Sequence, residues 1–295
     1  MTQRAAIIGS GALGTAVASV LQARLINLAQ WDLDSSRSRT HEHVADAVAN
    51  ADLVFLCVPT NSIESVADMI GPYLLENCLI ISLSKGLDCG TARTVDELMQ
   101  DHFPHHRTAL LSGPMLAAEL LAGQRGIGIV AANERLSYEQ VQPFLEHTVL
   151  AIEYSSDVAG VAWCGVLKNI YAIGLGVAAG LSTGDNVRGW LITQALGEMR
   201  ALLLALGGQA ETADTVAGIG DLIATALSPS SRNYQFGQAI ALGQRPMYQS
   251  EGARALLAAV RRIGGLKEYP LFEAIYGVII EHHSASSIVD QLSPA

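Results

Sequence analysis

Cysteine is scarce in this sequence, and the spacing of the few that occur excludes two kinds of architecture. The 295 residues contain four cysteines, and none of them forms a CxxC pair or stands at a spacing typical of metal ligands. We therefore expect reduced thiols in a cytoplasmic protein, with no metal site and no disulfide framework. Met1 to Arg4 lead directly into an apolar run rather than a secretory leader, which agrees with a cytoplasmic location.

Charged residues are also few. They make up 16% of the chain, half of the residues are hydrophobic, and the formal net charge is -10. This charge disfavours nucleic acid and anionic membrane surfaces as partners, and it means that an anionic substrate would need a local positive site. The length allows two ordinary domains, and the high apolarity is compatible with a homodimer.

Lysine is the rarest of the charged residues. The chain has fifteen arginines but only three lysines, Lys85, Lys168 and Lys267. A partly desolvated lysine can lose its proton near neutral pH, whereas an arginine effectively cannot. Lysines retained against this bias are candidates for proton chemistry, although a chance position on the surface is the simpler reading, and for Lys267 it is the better one.

One long apolar stretch, residues 158–181, imitates a membrane span. Lys168 and Asn169 stand near its middle, together with five glycines along its length. A lysine at the centre of a bilayer costs several kcal/mol. The stretch therefore predicts a helix through the core of a soluble domain, with one charged residue turned towards a cleft and no membrane span.

The first half of the chain alternates short apolar runs with helix-like segments. The predicted strands are residues 5–8, 25–31, 51–58, 78–83, 108–111 and 126–131, and a helix is predicted over 12–22. Such alternation is typical of an α/β fold, a Rossmann-like doubly wound parallel sheet that binds ligands at the carboxyl ends of its strands. From residue 156 onward the pattern is helical. We predict a dinucleotide-binding domain over 1–156 and an all-α substrate and catalytic domain over 157–295.

A glycine-rich loop, Gly9-Ser10-Gly11-Ala12-Leu13-Gly14, follows the first predicted strand and opens the first helix. In a dinucleotide-binding loop the first glycine permits the tight turn, the second lets the backbone approach a pyrophosphate, and the third lets the helix pack close to the strand. The helix N-terminus then faces the pyrophosphate charge. The strand before the loop and the helix after it make the motif specific.

Asp32 stands at the end of the second predicted strand, eighteen positions after Gly14. A carboxylate there accepts hydrogen bonds from the adenine-ribose hydroxyls and repels a 2′-phosphate, so we expect NAD rather than NADP. Two alternatives stay open. Asp32 can be a solvated residue at a strand end, and Arg37 and Arg39 can reach a 2′-phosphate.

Polar residues gather in five further segments within otherwise apolar surroundings. They are Ser84-Lys85-Gly86, Ser112-Gly113-Pro114, Leu167-Lys168-Asn169, Gly218-Ile219-Gly220-Asp221-Leu222 with Thr225, and Ser231-Arg232-Asn233. In these motifs, and in the stretches LKNIYAIGLGVAAGL, GDNVRGWLITQALGEM, AGIGDLIATALSPSSRN and SEGARALLAAV, the chain resembles the NAD(P)-dependent sn-glycerol-3-phosphate dehydrogenases. The resemblance runs nearly the full length and is densest from Lys168 to Gly243.

The resemblance implies a role for each polar residue. Lys168 would be the proton acceptor, Lys85 would contact both cofactor and substrate, and Asp221 with Thr225 would complete the catalytic group. Hydride transfer from a secondary alcohol requires removal of the hydroxyl proton, which a partly desolvated lysine can accept. The other implied substrate contacts are Gly113, Asn169, Ser231, Arg232 and Asn233. The implied cofactor contacts are Gly9, Gly11, Ala12, Leu13, Gly14, Asp32, Pro59, Lys85, Ala117, Arg232 and Glu251.

Simpler roles are available for three of these residues. Arg232 offers a planar fork of donors that suits a phosphate, but it can also form an ordinary surface ion pair. Asp221 can be an N-cap or turn residue after Gly220. Glu251 can be a first-turn carboxylate that the helix dipole favours.

The chain departs from the family at three places. The family usually has Ser or Thr two residues after Gly113, where this chain has Met115, a flexible apolar group in place of a donor. Only residues 33–50 join the second and third predicted strands, where the family has a longer loop. Leu13 and Leu33 replace an aromatic and a basic residue that bacterial members commonly carry, and the second change agrees with NAD use.

The leading hypothesis is therefore the interconversion of sn-glycerol 3-phosphate and dihydroxyacetone phosphate with NAD(H), a step of glycerol phosphate metabolism that supplies a phospholipid precursor. The first alternative is the same chemistry on another phosphorylated polyol or hydroxy compound, because Met115 changes the substrate contacts. The second is a dinucleotide-binding sensor without turnover. The chain argues against a sensor, because it retains Lys85, Lys168, Asp221, Thr225 and Arg232.

Overall fold

The computed structural model describes residues 3–24, 26–246 and 250–290. It divides into two compact units: residues 1–85 with 93–162 form the first, and residues 86–92 with 163–295 form the second. The predicted domain boundary at residue 156 stays a prediction. Leu25, the first residue of the predicted second strand, lies outside the described residues.

The first unit contains a seven-stranded sheet in its described residues, in the order β2-β1-β3-β4-β5-β6-β7. The strands are β1 (Arg4–Ile8), β2 (Asn27–Trp31), β3 (Leu53–Leu56), β4 (Leu79–Ser82), β5 (Arg107–Ser112), β6 (Gly126–Ala131) and β7 (Leu150–Ser155). The helices between them are α1 (Ala12–Gln22), α2 (Val44–Val48), α3 (Ile63–Ile70), α4 (Val95–His102), α5 (Ala117–Leu121) and α6 (Arg135–Leu145). The predicted Rossmann-like class is confirmed.

The central strands β3 and β4 consist almost entirely of apolar side chains. Every residue of β3 (LVFL) and of β4 (LIIS) is buried. A strand in the middle of a parallel sheet is covered by helices on both faces, so it carries a continuous apolar run instead of alternating polar and apolar residues. All six predicted strands are present, with ends that differ by a few residues. The seventh, β7, was not predicted, because its mostly half-exposed residues lack a continuous apolar run.

The sheet is mostly parallel, as predicted, with one antiparallel junction where β6 pairs with β5. The reason lies in the connection between them, whose only helix is the five-residue α5. Five helical residues advance about 7.5 Å, whereas a six-residue strand spans roughly 20 Å. The connection therefore reverses the chain without carrying it back along the sheet, and β7 then pairs parallel to β6.

The second unit is helical in its described residues. Its elements are α7 (Val158–Gly180), which starts within the residues of the first unit, α8 (Gly184–Ala205), α9 (Asp221–Leu227), α10 (Arg232–Ala241), α11 (Glu251–Ile263), α12 (Pro270–Ile280) and α13 (Ser287–Asp290). Its core gathers buried side chains from six of these helices, such as Tyr171 of α7 and Phe272 of α12. The predicted all-α character of this half is confirmed.

The helix α7 is the apolar stretch that imitates a membrane span. Among the described residues it is the one helix long and apolar enough to cross a membrane, and 89% of its most apolar 18-residue window is buried inside the protein. A helix that is apolar on all sides is expected to be surrounded by other elements. Its composition is therefore accounted for by the core of the second unit.

The glycines of α7 serve close packing rather than flexibility. A Cβ atom on Gly176 would stand 2.1 Å from the carbonyl oxygen of Tyr234 in α10. Reciprocally, a Cβ on Gly237 of α10 would stand 2.1 Å from the carbonyl oxygen of Ile173. The two backbones approach so closely that only glycine fits at these positions, which places α10 firmly beside the segment that carries Lys168.

Candidate functional site

The glycine loop in the first unit has the geometry that a dinucleotide-binding turn requires. Gly9 has φ +98°, and a Cβ there would stand 2.5 Å from the Cys57 carbonyl oxygen. A Cβ on Gly14 would stand 1.8 Å from the carbonyl oxygen of Gly9. Glycine is thus required at both positions, once for the left-handed turn and once for the close approach of α1. The loop fits a dinucleotide.

Asp32 lies at the carboxyl end of β2 and is 7% exposed, so its interpretation as a solvated residue at a strand end is wrong. One carboxylate oxygen, Oδ2, accepts a hydrogen bond of 2.6 Å from the Ser10 backbone N–H, and Oδ1 accepts one of 2.9 Å from the Asp34 N–H. The side chain therefore holds the glycine loop in place by charge-assisted hydrogen bonds.

Two arginines lie beside Asp32 and differ in how firmly they are held. Arg39 donates to the carbonyl oxygens of Asp32 (2.6 Å) and Leu33 (2.8 Å), and its guanidinium lies over the Trp31 ring. Arg37 has a half-exposed side chain, and its Nη1 lies 3.3 Å from Asp32 Oδ2. Arg39 is thus held at the end of β2 by backbone carbonyls and a ring, whereas Arg37 is half-exposed and is held by ion pairs with Asp32 and Asp34.

Arg37 also lies over the glycine loop. A Cβ on Gly11 would meet its Nη1 at 3.3 Å. A pocket of about 180 Å³ in the first unit is lined by Gly9, Asp32, Arg37 and Pro59, among other residues. Three residues expected to contact the cofactor therefore border one cavity together with Arg37, which was considered as a contact for a 2′-phosphate. Sequence reasoning missed the ion pair between Arg37 and Asp32, although an acid and a base five residues apart after a strand were a usable signal.

Lys85 and Gly113 follow the neighbouring parallel strands β4 and β5. The Lys85 Nζ donates to the Gly113 carbonyl oxygen at 2.8 Å, and Gly113 has φ +140°. A Cβ at Gly113 would stand 2.7 Å from the Ile127 carbonyl oxygen, so the position requires glycine. The structure thus brings together two residues expected to contact substrate. Ala117, expected to contact the cofactor, is the first residue of α5.

Met115 lies in the core of the first unit and is 6% exposed. Its Sδ would stand 3.1 Å from a Cβ added to Gly128. The side chain therefore fills the space that Gly128 leaves, so it presents neither a hydrogen-bond donor nor an exposed apolar group to a ligand. Compared with a Ser or Thr at this position, Met115 removes one hydroxyl contact to the substrate but does not block the substrate sterically.

In the second unit, Lys168, Asp221 and Thr225 form one buried group. The Lys168 Nζ donates to Asp221 Oδ1 at 3.1 Å and to Thr225 Oγ1 at 2.9 Å. Lys168 is 8% exposed, Asp221 1% and Thr225 5%. A buried ammonium of this kind needs a carboxylate partner to offset its desolvation. Asp221 supplies that charge, so a role as a mere turn residue does not describe it.

An irregular turn places Asp221 and Thr225. Residues Val216–Gly220 form a π-helical turn directly before α9, and a Cβ on Gly218 would stand 2.2 Å from the Ala213 carbonyl oxygen. π-Helical turns are rare and frequently occur at functional sites. Since Asp221 and Thr225 are four residues apart on α9, they lie on the same face of that helix. Both side chains can then reach the single ammonium of Lys168.

Asn169, next to Lys168, belongs to a second polar network. Its Oδ1 accepts 2.8 Å from Asn233 Nδ2, and its Nδ2 lies 3.4 Å from Glu251 Oε2. Asn233 Oδ1 in turn accepts 2.9 Å from the Gly252 N–H. The network joins α7, α10 and the first turn of α11, so three residues expected at the site are brought together.

Gly252 is a member of this network that sequence reasoning did not assign. A Cβ there would stand 2.4 Å from the Asn169 carbonyl oxygen. Glycine is unfavourable inside a helix, so its place in the first turn of α11, directly after Glu251, was a usable signal of a close backbone approach.

Ser231 and Arg232 stand at the N-terminus of α10. The Ser231 hydroxyl oxygen accepts from the Tyr234 N–H at 3.3 Å as the N-cap, and Arg232 is exposed. A helix N-terminus favours anions through its free N–H groups and its dipole. With the guanidinium of Arg232 beside it, this end of α10 offers positive potential on an otherwise acidic chain.

Within the described part of the chain, no three histidine, cysteine or acidic side chains gather where they could hold a metal ion. The described residues combine a dinucleotide-binding loop on a mostly parallel sheet with a buried lysine that a carboxylate and a hydroxyl hold in place.

Comparison with known proteins identifies the family. The model of the NAD-dependent glycerol-3-phosphate dehydrogenase N-terminus matches residues 35–137, and that of the C-terminus matches residues 157–290. A glycerol-3-phosphate dehydrogenase [NAD(P)+] of Rhizobium johnstonii is 31% identical over 99% of this chain and 98% of its own. One of Acinetobacter baylyi is 32% identical over 94% of this chain and 86% of its own. The crystal structure of glycerol-3-phosphate dehydrogenase from Coxiella burnetii aligns with a TM-score of 0.85 at 25% identity, covering 99% of both chains. The chain belongs to the NAD-dependent glycerol-3-phosphate dehydrogenase family.

Proposed function

We propose that this protein interconverts sn-glycerol 3-phosphate and dihydroxyacetone phosphate with NAD(H). The observation that supports the proposal is the buried group of Lys168, Asp221 and Thr225, because a carboxylate and a hydroxyl hold the amine that would exchange the proton. The names of its relatives supply the substrate.

The glycine loop and Asp32 would hold NAD, which would supply the acceptor for the hydride that leaves C2 of the alcohol. Lys168 accepts the hydroxyl proton at Nζ during oxidation, and in the reverse direction it donates that proton to the forming alkoxide. Asp221 fixes the position of Nζ through the 3.1 Å contact and offsets the positive charge while the proton is present. Thr225 holds the same nitrogen from a second direction. The amine is thereby oriented before substrate arrives, which lowers the entropic part of the barrier.

The phosphate of the substrate would bind at the N-terminus of α10. Arg232 supplies a guanidinium fork, and Ser231 and Asn233 add neutral donors. This arrangement answers the problem set by the net charge of -10, since an anionic substrate needs a local positive site. Lys85 would contact both substrate and cofactor at the carboxyl end of β4.

NAD is proposed as the preferred cofactor, with NADP as the weaker one. The support is the Asp32 carboxylate at the end of β2, which repels a 2′-phosphate. Arg37 opposes this preference, because its guanidinium already lies within 3.3 Å of Asp32 and can pair with a 2′-phosphate instead. The preference is therefore a balance between two named side chains.

Another phosphorylated polyol remains the second candidate substrate, because Met115 withdraws a hydroxyl that relatives usually offer. A homodimer and a cytoplasmic location are proposed on the apolar composition and the reduced cysteines, and light scattering on the purified chain tests the first of these.

Replacing Lys168 tests the proposed reaction. Removing one partner of a buried ion pair lowers the free energy of unfolding by about 3–5 kcal/mol, so Lys168→Ala alone could fail by unfolding. We therefore pair it with Lys168→Arg, which keeps the positive charge but cannot release a proton near neutral pH. We expect both variants to lower kcat by about 100-fold or more, as the loss of a general base does, while NADH still binds. Lys267→Ala, at the exposed third lysine, is the matched control.

The measurement is NADH absorbance with dihydroxyacetone phosphate and a panel of phosphorylated three- to five-carbon ketones, together with NADH fluorescence for binding. Normal turnover in Lys168→Arg would refute the assignment of the base. If the wild type turned over a different ketone, that ketone would replace dihydroxyacetone phosphate as the assigned substrate. NADH binding without any turnover would support a dinucleotide-binding sensor.

A further inference from the structure

The first unit has a second pocket, of about 360 Å³, at the amino-terminal edge of the sheet. Its lining includes His106, Arg107 and Thr108 at the start of β5, with Asn133 and Ser137 at the start of α6. β5 runs parallel to β4, and through it to β3 and β1, whose carboxyl ends lead to the glycine loop and Lys85. The pocket and the glycine loop therefore lie at opposite edges of the same sheet.

Arg107 is the cation of this pocket, and its partner is neutral. Its Nη2 donates to Gln140 Oε1 at 2.7 Å, and its Nη1 is enclosed by protein without a hydrogen-bond partner. Among the described residues no carboxylate lies within ion-pair distance of Arg107. Four other arginines are each paired with an aspartate: Arg37, Arg93, Arg188 and Arg200. Arg107 is half-buried in the lining of the pocket, so its guanidinium is available to pair with an anion from outside.

His106 adds a second unsatisfied group. Its Nε2 is enclosed without a partner. Desolvation by burial lowers the pKa of His106 below its usual value, and a hydrogen bond with the Leu75 backbone opposes this shift. A buried polar atom without a partner is unfavourable. An anionic ligand oxygen would supply the partner that Arg107 Nη1 lacks, and His106 would lie beside it.

The remaining surroundings favour a small organic anion. The N-terminus of the eleven-residue helix α6 borders the pocket and adds the positive end of a helix dipole. Phe103, which is buried, supplies an apolar wall. Glu134 is the acid of the lining, and it is exposed at the rim, where water screens its charge. A ligand with one anionic group and a short carbon body matches this lining.

We propose that this pocket is a second ligand site, separate from the cofactor loop, that binds a small organic anion through a carboxylate or phosphate group on Arg107, beside His106. The guanidinium fork matches the geometry of either group. The site takes no part in hydride transfer, and its occupation stabilises the amino ends of β5 and α6.

The test is a titration of the full chain, labelled with ¹³C and ¹⁵N at histidine, with inorganic phosphate and separately with malonate. His106→Gln assigns the His106 resonance. We expect a saturable shift of that resonance with at least one probe, and no shift with chloride at matched ionic strength. Arg107→Gln should weaken binding at least about tenfold, in line with the loss of a charge-assisted pair, and should leave basal turnover unchanged.

Arg135→Gln is the matched control, since it removes an exposed arginine at the start of α6 that is paired with Glu139. It should bind the probes as the wild type does. If Arg107→Gln folds poorly, Arg107→Lys keeps the charge without the fork and should bind more weakly than wild type. The proposal is overturned if neither probe shifts His106 saturably, or if the Arg107 variants bind as the wild type does.

Discussion

Asp32 and Arg37 are the pair of residues on which cofactor choice depends. Asp32 already accepts two backbone hydrogen bonds, from Ser10 and Asp34, so its carboxylate is fixed in place. Arg37 has a half-exposed side chain and can exchange Asp32 for another anion. Asp32 therefore repels a 2′-phosphate from a fixed position, whereas Arg37 can attract one by changing its side-chain conformation.

Removing the positive charge of Arg37 should lower activity with NADPH more than activity with NADH. We expect Arg37→Gln to lower kcat/KM for NADPH by about tenfold or more, the worth of a charged hydrogen-bonded pair, and to change kcat/KM for NADH much less. The measurement is steady-state kinetics with both cofactors, and Arg135→Gln controls for the loss of one surface charge. An equal fall for both cofactors would mean that Arg37 contacts their shared pyrophosphate instead.

At this scale the sequence predicted residue types better than contacts. The glycine loop could be recognised because backbone geometry demands glycine there, Lys168 because lysine is scarce in the chain, and Asp221 only through the family resemblance. The burial of Asp32 and of Met115 could not, because each depends on a partner distant in sequence: the Ser10 backbone for Asp32 and the space beside Gly128 for Met115.

At the scale of elements, the contact between α7 and α10 fixes the segment that bears Lys168. We expect Gly176→Ala to destabilise the protein by about 1–3 kcal/mol, the range for an overpacked core, because the added Cβ meets a backbone oxygen that cannot move aside. Gly189→Ala, on the exposed side of α8 where a Cβ would meet nothing, should instead stabilise by up to about 1 kcal/mol. Urea unfolding measures both, and equal effects would contradict the packing argument.

Glu198 of α8 caps another helix. It is 7% exposed, and its carboxylate accepts from the Leu271 N–H (2.6 Å), the Phe272 N–H (3.0 Å) and the Tyr171 hydroxyl (2.9 Å). The first two are free N–H groups of the first turn of α12, which have no partner inside the helix. One side chain thus joins α7, α8 and α12.

Glu198→Gln should destabilise the protein by about 1–3 kcal/mol, because an amide has a single acceptor oxygen and leaves one buried donor unsatisfied. The control is Glu273→Gln, an exposed first-turn acid of α12, which we expect to change the free energy of unfolding by less than about 0.5 kcal/mol. Chemical denaturation compares the two, and similar losses would show that helix-dipole charge matters more than the buried cap.

The elements themselves could largely be predicted, since continuous apolar runs and the glycine loop mark strand and helix. The direction of β6 could not, because it depends on the reach of a short connection and not on any pattern within the strand. The long helix α7 was recognisable from its length and its central lysine, whereas its glycines could be explained only once α10 was beside it.

At the scale of the whole molecule, cofactor binding should appear as stability. A ligand at a hundred times its Kd adds about 2.7 kcal/mol to the free energy of unfolding. Gly11→Ala should fold normally, because the added Cβ meets only the flexible end of Arg37. It should nevertheless lose most of the stabilisation by NADH, because the methyl group blocks the approach of the pyrophosphate.

Thermal unfolding with and without NADH measures this linkage, and Gly71→Ala is the control because a Cβ there would meet nothing. Full stabilisation of Gly11→Ala by NADH would exclude the glycine loop as the pyrophosphate site. The result is independent of turnover, so it also holds for a protein that binds NADH without reacting.

Residues 86–92 have a consequence for how such a chain can be cut or recombined. They are flanked on both sides by the chain of the first unit, yet they belong to the second, where Leu87 and Ala92 enter its core and Arg262 donates to the Ala92 carbonyl oxygen. A fragment ended near residue 156 would carry this short apolar segment away from the core that buries it. The two halves are therefore not interchangeable modules that one crossover in a gene could join to new neighbours, and a viable exchange would need to carry this segment along with the helices.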